Sequence, residues 1–253
     1  MPVSLPIVTF HALEDRPSVI AVPPRVFREG LARLDASGYR TVSLLEAADC
    51  LRRGTRFPTR ALVLTFDDGY QSVYNEAFPV LQRYGMTATV FLTVGDRRPG
   101  AATDRLPSLN GRAMLSWREI RAMQERGIEF GAHTLTHPDL TRLPPARLVE
   151  EVCGAKTILE DALGTAVTTF AYPYGRYDQR SRELVREHYA CACSDQLGLL
   201  TLRSAFDALE RIDAYYLRTE RLFGVLETRW LPLYLLARNL PRRLRRALCH
   251  RPR

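Results

Sequence analysis

The feature that most constrains the fold is an alternation of short apolar runs with segments of helical apolar spacing. For example, the segment 23–38 lies between the first two apolar runs, and its Phe27, Leu31 and Leu34 fall on one side of a helix. Strands that alternate with helices form parallel sheets, because each helix returns the chain to the same edge. We therefore expect an α/β fold, either open and doubly wound or closed as a barrel. The runs of strand length occupy residues 7–13, 61–68, 87–93, 128–134, 168–175 and 190–194.

Several element boundaries carry their own signals. Ser116 precedes Glu119 by three residues, which is a capping-box pattern and predicts the start of a helix. Pro79 predicts a kink or a boundary within the helical segment 72–85. A stretch rich in Gly, Pro and Asp at 95–112 is long enough to suggest either a functional flap or a disordered excursion.

Charge is unevenly distributed along the chain. The formal net charge is +8, and the last 25 residues hold many arginines and almost no acidic residues. We expect a catalytic domain over 1–225 and a basic amphipathic tail over 226–253. The tail is interpreted either as a solvated segment or as one that lies on an anionic membrane surface or a partner. No nucleic-acid partner is expected, because no recognition motif is present elsewhere. The apolar residues that favour the membrane interpretation are Trp230, Leu231, Leu233, Leu235 and Leu236.

Neither a signal peptide nor a membrane span is predicted. The first residues lack a basic start, and no run reaches the ~18 apolar residues that a span needs. We therefore expect a cytoplasmic location, with peripheral contact at the inner membrane face through the tail. Cys191 and Cys193 alternate on a strand-like run and are predicted to pack in the core.

Reactive side chains follow four of the strand-like runs. His11, the adjacent Asp67 and Asp68, the segment 133–137 and the segment 172–175 each stand at the carboxyl end of such a run. In parallel barrels the active site forms where the carboxyl ends of the strands meet. The four elements together therefore favour a TIM-like barrel with its site on that rim.

The residue types on this rim indicate a metal site. Asp67 and Asp68 are adjacent carboxylates, an arrangement that is costly unless a positive charge lies beside them. His133 and His137 have i, i+4 spacing, which can place two imidazoles on one face of a helical turn or of an extended segment. Two imidazoles and one carboxylate can hold a divalent transition metal and leave positions for water and substrate. We interpret one aspartate as a ligand and the other as a base that acts on water.

The motifs "TFDDGY", "HTLTH" and "YPYG", in this order, resemble those of the metal-dependent polysaccharide deacetylases of the NodB-homology type. The resemblance covers roughly residues 5–215. It implies a deformed TIM-like (β/α) barrel of the NodB type. It also implies a metal-dependent hydrolase acting on carbon–nitrogen, non-peptide bonds, which removes an N-acetyl or other small acyl group from a sugar or polysaccharide. The expected partner is therefore an N-acylated sugar or polysaccharide.

The resemblance also implies roles for individual residues. Asp67 corresponds to the general base, and the backbone N–H of Tyr174 to the group that stabilises the oxyanion, with Pro173 and Tyr174 at the substrate. The implied metal is Zn²⁺, with Co²⁺ and Ni²⁺ as alternatives. Its ligands would be Asp68, His133 and His137.

Two positions depart from the family pattern. An arginine that orients the base usually begins the tyrosine motif, and Ala171 stands there instead. Arg211 or Arg176 could replace it, and Arg211 is also a candidate substrate-binding residue. The usual late histidine that serves as general acid has no clear counterpart. His11 is our candidate for that role, and the alternative is that His11 is a hydrogen-bonded core histidine.

These departures leave two alternatives open. The first is a deformylase or deacetylase of a lipid-linked sugar at the inner membrane face. The second is a catalytically inactive, carbohydrate-binding relative.

Overall fold

Seven parallel strands close into a barrel in the computed structural model. The structure describes residues 4–95 and 104–249, and it describes side chains only up to Pro241. Each strand pairs with the next along the chain, and the first pairs with both the last and the second. Val8 is in register with Leu64 on one side and with Ile212 on the other, which closes the barrel. The strands are β1 (Ile7–Phe10), β2 (Ala61–Phe66), β3 (Thr89–Leu92), β4 (Glu129–Ala132), β5 (Thr169–Ala171), β6 (Cys191–Leu197) and β7 (Leu209–Asp213).

Helices follow the strands and cover the outside of the barrel. A five-residue π-helical turn, Val73–Ala77, leads directly into the helix Phe78–Arg83, and a second one, Glu150–Gly154, joins the helices Pro145–Val149 and Ala155–Leu163. Short 3-10 turns lie at Leu140–Arg142, Pro173–Gly175, Ala214–Leu217 and Gly224–Glu227. The helices are α1 (Pro24–Ala36), α2 (Leu44–Arg52), α3 (Phe78–Arg83), α4 (Trp117–Gln124), α5 (Pro145–Val149), α6 (Ala155–Leu163), α7 (Gln179–His188), α8 (Glu220–Phe223) and α9 (Leu231–Cys249).

Three short strand pairings extend the sheet structure of the described residues. Ser4–Leu5 pairs antiparallel with Leu200–Thr201, and Ala12–Leu13 pairs in parallel with Ala21–Val22. Arg40–Thr41 adds to the start of β2. These pairings tie the chain segments before and after β1, and those beside β2 and β6, to the barrel.

The boundary signals in the sequence are confirmed. Ser116 and Glu119 form both hydrogen bonds of a capping box at the start of α4. Pro79 lies in the first turn of α3, where its missing N–H leaves no donor unpaired, so it marks a boundary. Of the predicted flap 95–112, residues 96–103 lie outside the part of the chain that the structure describes.

Alternation along the strands separates two apolar clusters. Leu62, Leu64 and Phe66 of β2 belong to a large cluster that also contains the buried residues of α1 and therefore lies between sheet and helices. Val63 points to the opposite face and joins a smaller, inner cluster, which also contains the buried side of α2. Cys191 and Cys193 are both buried in that inner cluster, which confirms the predicted core role.

The last helix is seated on the barrel by one side. Leu231 and Leu235 of α9 are buried in the large cluster. Asn239 donates to the carbonyl of Leu197 at the end of β6, and the Tyr234 hydroxyl donates to the carbonyl of Tyr216. None of the helices in the described ranges is both long and apolar enough to cross a membrane.

Candidate active site

A cavity of about 330 Å³ opens at the carboxyl ends of the barrel strands. Its volume is in the range of ~300–1,000 Å³ that small-molecule sites occupy. The predicted residues Asp67, Asp68, His133, His137 and Arg211 all line it. Its other lining residues include His11, Asn110, Tyr172, Tyr174, Ser194, Asp195, Asp213 and Tyr215.

Three of these side chains converge on one point. The Nε2 atoms of His133 and His137 lie 3.4 Å and 3.3 Å from Oδ1 of Asp68. The three ligand atoms lie within 4.8 Å of one another. Within the described residues, the buried Oδ1 of Asp68 has no hydrogen-bond partner. A buried carboxylate oxygen without a donor is costly, and a cation at this point would offset that cost.

The orientation of the imidazoles suits a metal. Nδ1 of His133 is 2.7 Å from the carbonyl oxygen of Ala171, and a carbonyl can only accept. Nδ1 therefore carries a hydrogen, so Nε2 is the atom that faces Asp68 and can offer a lone pair to a cation. Burial alone would lower the pKa of His133, but the carboxylates of Asp68 and Asp67 outweigh it and raise that pKa, so a bound cation would take the place of the Nε2 proton. Burial, followed by the charge of neighbouring His133, lowers the pKa of His137 to about 4. At neutral pH His137 is thus in the form that binds metals, and the donor set fits a divalent cation.

The backbone between the two histidines is neither helical nor extended, contrary to both conformations that the sequence suggested. Thr134 and His137 have φ of 66° and 60°, in the left-handed region. The Thr134 hydroxyl oxygen accepts from the N–H of His137 at 3.0 Å. This irregular turn, rather than i, i+4 spacing on a helix, directs both imidazoles to Asp68.

Glu151 holds this turn in place, and sequence reasoning did not identify it. One carboxylate oxygen accepts from the N–H groups of Leu135 and Thr136, both at 2.9 Å. The other accepts from the Thr136 hydroxyl at 2.6 Å and from Arg147 at 3.2 Å. Glu151 is fully buried and lies in the π-helical turn after α5. A signal was present, because Glu151 falls on the apolar helix face that the spacing of Leu148 and Val152 defines.

Arg211 pairs with Asp67 inside the barrel. Two guanidinium nitrogens contact the two carboxylate oxygens of Asp67 at 2.7 Å each. The Arg211 side chain is 4% exposed and also donates to the Thr9 hydroxyl and the Ser194 carbonyl. Burial alone would raise the pKa of Asp67, but the charge and hydrogen bonds of Arg211 outweigh it and hold that pKa well below its usual range. Asp67 is therefore ionised at neutral pH.

Of the two candidates for the missing arginine, the structure brings only Arg211 to Asp67. Arg176 is exposed and donates instead to Asp139 at 2.8 Å. Ala171 is buried in the inner cluster, and its carbonyl oxygen orients His133. The cation beside Asp67 thus comes from β7 rather than from the tyrosine motif.

The remaining predicted residues lie around the candidate metal ligands. Nε2 of His11 is 3.9 Å from Oδ2 of Asp67, and the His11 side chain is 22% exposed. Tyr174 has φ of 57°, and its exposed ring contacts the ring of His137 edge to face. Pro173 is buried beneath this turn and lies outside the cavity lining. Gly175 permits the turn, because an added Cβ would lie 2.1 Å from Asp195 Cβ.

One residue in the described part of the predicted flap, Asn110, reaches the cavity. Asn110 lines the cavity and donates to the Tyr70 hydroxyl at 3.0 Å. Arg112 pairs with Glu14 at 2.6 Å and lies over the Tyr70 ring. Sequence reasoning missed Asn110, because its role depends on contacts across 40 residues of chain.

Comparisons with known proteins agree with this geometry. A sequence profile described as polysaccharide deacetylase matches residues 54–190, more than half of the chain. This chain belongs to the polysaccharide deacetylase family. The predictions of that family, of its deformed TIM-like barrel and of a hydrolase of carbon–nitrogen bonds are confirmed.

Two curated relatives and one solved structure illustrate the similarity. The chain is 27% identical over 212 residues to the putative polysaccharide deacetylase YxkH of Bacillus subtilis, and the match covers 83% of this chain and 71% of that protein. It is 31% identical over 135 residues to the poly-beta-1,6-N-acetyl-D-glucosamine N-deacetylase of Escherichia coli. That match covers 50% of this chain and 20% of the Escherichia coli protein. The solved structure is the Streptococcus pyogenes deacetylase PplD in complex with acetate, with a TM-score of 0.74 and 27% identity over 84% of this chain and 93% of that one.

Proposed function

We propose that this family member hydrolyses the acyl amide of an N-acylated sugar residue, with a divalent metal ion at Asp68, His133 and His137. One observation carries the proposal: two imidazole Nε2 atoms surround a buried, unpartnered carboxylate oxygen among the described residues, beside a second ionised carboxylate. A cation at this point would polarise the acyl oxygen and lower the pKa of a bound water toward ~7. Nitrogen and oxygen ligands of this kind suit Zn²⁺, with Co²⁺ and Ni²⁺ as alternatives.

Asp67 is proposed as the general base. It faces the same cavity as the metal ligands and is ionised at neutral pH, so it can accept a proton from water. Each carboxylate oxygen has two lone pairs, so the contact with Arg211 leaves capacity for that proton. We assign Arg211 the role of positioning Asp67 rather than of binding substrate, because its guanidinium is occupied by Asp67, Thr9 and Ser194.

Two further groups complete the proposed reaction. The backbone N–H of Tyr174 would stabilise the oxyanion that forms when water adds to the acyl carbon. His11, in its protonated form, would donate a proton to the nitrogen as the carbon–nitrogen bond breaks. The products are the carboxylic acid and the amine of the sugar. Pro173 would shape the turn that presents Tyr174.

The substrate class follows from the relatives. One curated relative is named for an N-acetylglucosamine polymer, and one solved relative holds acetate, the acid that deacetylation releases. We therefore propose an N-acetylated sugar or polysaccharide as substrate and acetyl as the acyl group. The pairing of Arg211 with Asp67 supports an active enzyme over the inactive carbohydrate-binding alternative, since it supplies the cation that Ala171 does not.

The test is release of acetate from oligomers of β-1,6-linked N-acetylglucosamine by the full chain, after chelation and after addition of Zn²⁺ or Co²⁺. We expect metal-dependent release, with loss of both bound metal and activity in His133→Ala. Asp67→Asn should keep metal while activity falls by about 10²–10⁴-fold. Near-full turnover in Asp67→Asn would contradict the base assignment. Stoichiometric metal without release from any N-acylated sugar would favour the inactive relative.

A further inference from the structure

A stripe of exposed apolar side chains runs along α9 and the residue before it. Trp230, Leu233, Leu236 and Leu240, here called the α9 stripe, are 56–61% exposed. Their spacing of three and four residues places them on one side of the helix. Half of the exposed large apolar side chains in the described part of the chain belong to this stripe. Scattered single residues would need no explanation, but a continuous row does.

The helix is firmly seated by its other side. Leu231 and Leu235 are two residues from Leu233 and thus point away from the stripe, and both are buried in the core. Asn239 donates to the carbonyl of Leu197 on the same side of the helix. The α9 stripe is therefore not needed for packing on the barrel, because the opposite side of the helix already makes that contact.

The segment that carries the stripe also holds the entire charge excess of the protein. After Glu227 the sequence has no Asp or Glu and contains eight arginines. The other 28 basic residues of the chain are balanced by 28 acidic residues. Such a segment complements a broad, uniformly negative surface. The eight arginines are Arg229, Arg238, Arg242, Arg243, Arg245, Arg246, Arg251 and Arg253.

The helix lies at the same end of the barrel as the cavity. Its contact at Leu197 is at the carboxyl end of β6, in register with Arg211 of the active site. Its second contact, the carbonyl of Tyr216, directly follows Tyr215, which lines the cavity. A surface bound by α9 would therefore be close to the rim that carries the site.

We propose that the α9 stripe docks this protein on an anionic lipid bilayer, with the helix lying in the interface. Apolar side chains on one side and arginines without acidic neighbours are the features of helices that bind this way. No described helix is long and apolar enough to span the bilayer, so the contact is peripheral. The proposal concerns binding alone and does not depend on the proposed hydrolysis.

The test is co-sedimentation of the full chain with phosphatidylcholine vesicles that contain or lack phosphatidylglycerol. We expect binding to the anionic vesicles that weakens as salt is added, because salt screens the arginines. Leu233→Glu should reduce that binding by about tenfold or more, since it places a charge in the apolar side. The matched control is Val149→Glu on α5, which adds the same charge at an apolar residue that is 48% exposed. Thermal denaturation of both variants should show intact folding, because neither position is buried.

Three results would overturn the proposal. Leu233→Glu and Val149→Glu could bind the anionic vesicles equally well, so that the stripe has no part in binding. Wild-type protein could bind neutral and anionic vesicles equally well, which would show that the arginines do not contribute to binding. Wild-type protein could also ignore vesicles and sediment as a dimer that Leu233→Glu dissociates, in which case the stripe is an interface between two copies of this chain.

Discussion

Replacing Glu151 tests whether its hydrogen bonds hold the turn between His133 and His137 in place. The Glu151 carboxylate accepts three hydrogen bonds from Leu135 and Thr136 at 2.6–2.9 Å, in a fully buried position. A hydrogen bond to a charged group contributes about 1.5–3 kcal/mol, and water from a separate cavity that Leu135, Thr136 and Arg147 line can replace part of it. Glu151→Ala should therefore lower the free energy of unfolding by about 3–5 kcal/mol. The contact with half-exposed Arg147 adds little to this value.

The loss should extend to the metal site. Residues that orient metal ligands through hydrogen bonds typically change metal affinity by about 10–100-fold when removed. His137 follows Thr136 directly, so a looser turn should weaken Zn²⁺ binding by that amount. Glu151→Gln should cost only about 1–2 kcal/mol, because its amide oxygen can still accept from the two N–H groups and the Thr136 hydroxyl can turn to accept from its NH₂.

Glu150→Ala is the matched control. Glu150 is adjacent, has an exposed side chain and pairs with Arg147 at 2.5 Å. It should leave stability within about 0.5 kcal/mol and metal affinity unchanged. Denaturant unfolding of the metal-free protein measures the stability. Competition with a chelator, at a temperature where all variants are folded, measures the metal affinity. A folded Glu151→Ala with wild-type zinc affinity would refute the proposed coupling between Glu151 and the ligands.

Three further predictions concern the barrel rim. Arg211→Met should lower the free energy of unfolding by about 3–5 kcal/mol at neutral pH, because it leaves the Asp67 carboxylate buried without its cation. The pKa of Asp67 is lower in the folded protein than in the unfolded chain, so the ion pair stabilises the fold above about pH 4 and loses this effect as the pH falls. Urea unfolding should therefore show a smaller difference in the free energy of unfolding between wild type and variant at acid pH than at neutral pH. Gly175→Ala should abolish acetate release with metal still bound, because the added Cβ would lie 2.1 Å from a side-chain carbon. In the control Gly85→Ala the added Cβ meets nothing within 4 Å, so only the strain of alanine at positive φ should lower stability, and activity should be kept. Zn²⁺ at 100 times its Kd should stabilise the protein by about 2.7 kcal/mol in thermal denaturation, and His133→Ala should remove that response.

Chain-level patterns predicted the architecture and the position of the site. Strand and helix alternation led to a parallel sheet, and the reactive residues at strand ends led to its carboxyl rim. The first inference rests on apolar runs of strand length and on helical spacing of 3.6 residues, and the second rests on the residue types that end those runs. Local sequence records both directly. The boundary at Pro79 and the capping box at Ser116 were predictable for the same reason, since their causes lie within a few residues.

The supporting contacts were not predictable in the same way. Arg211 was one of two candidates for a partner of Asp67, and 144 residues separate the two in the chain. Closure of the barrel decides that β7 lies beside β1, and therefore that Arg211 rather than Arg176 reaches the carboxylate. Glu151 was missed because the helix prediction used only its apolar neighbours. A carboxylate on a predicted apolar face should itself have been interpreted as a buried acceptor in need of donors.

Backbone strain gives independent support for where this molecule does its chemistry. Six non-glycine residues in the described ranges have positive φ, and five of them lie at or beside the cavity. Each costs of order 1–2 kcal/mol relative to ordinary backbone, and for the β-branched Thr134 the conformation is a genuine outlier. Such strain persists only where surrounding contacts impose it. Here the Thr134 hydroxyl, Glu151 and the core supply those contacts, so the barrel stabilises a ligand geometry that the local chain would not adopt alone. The five residues are Asp68, Asn110, Thr134, His137 and Tyr174.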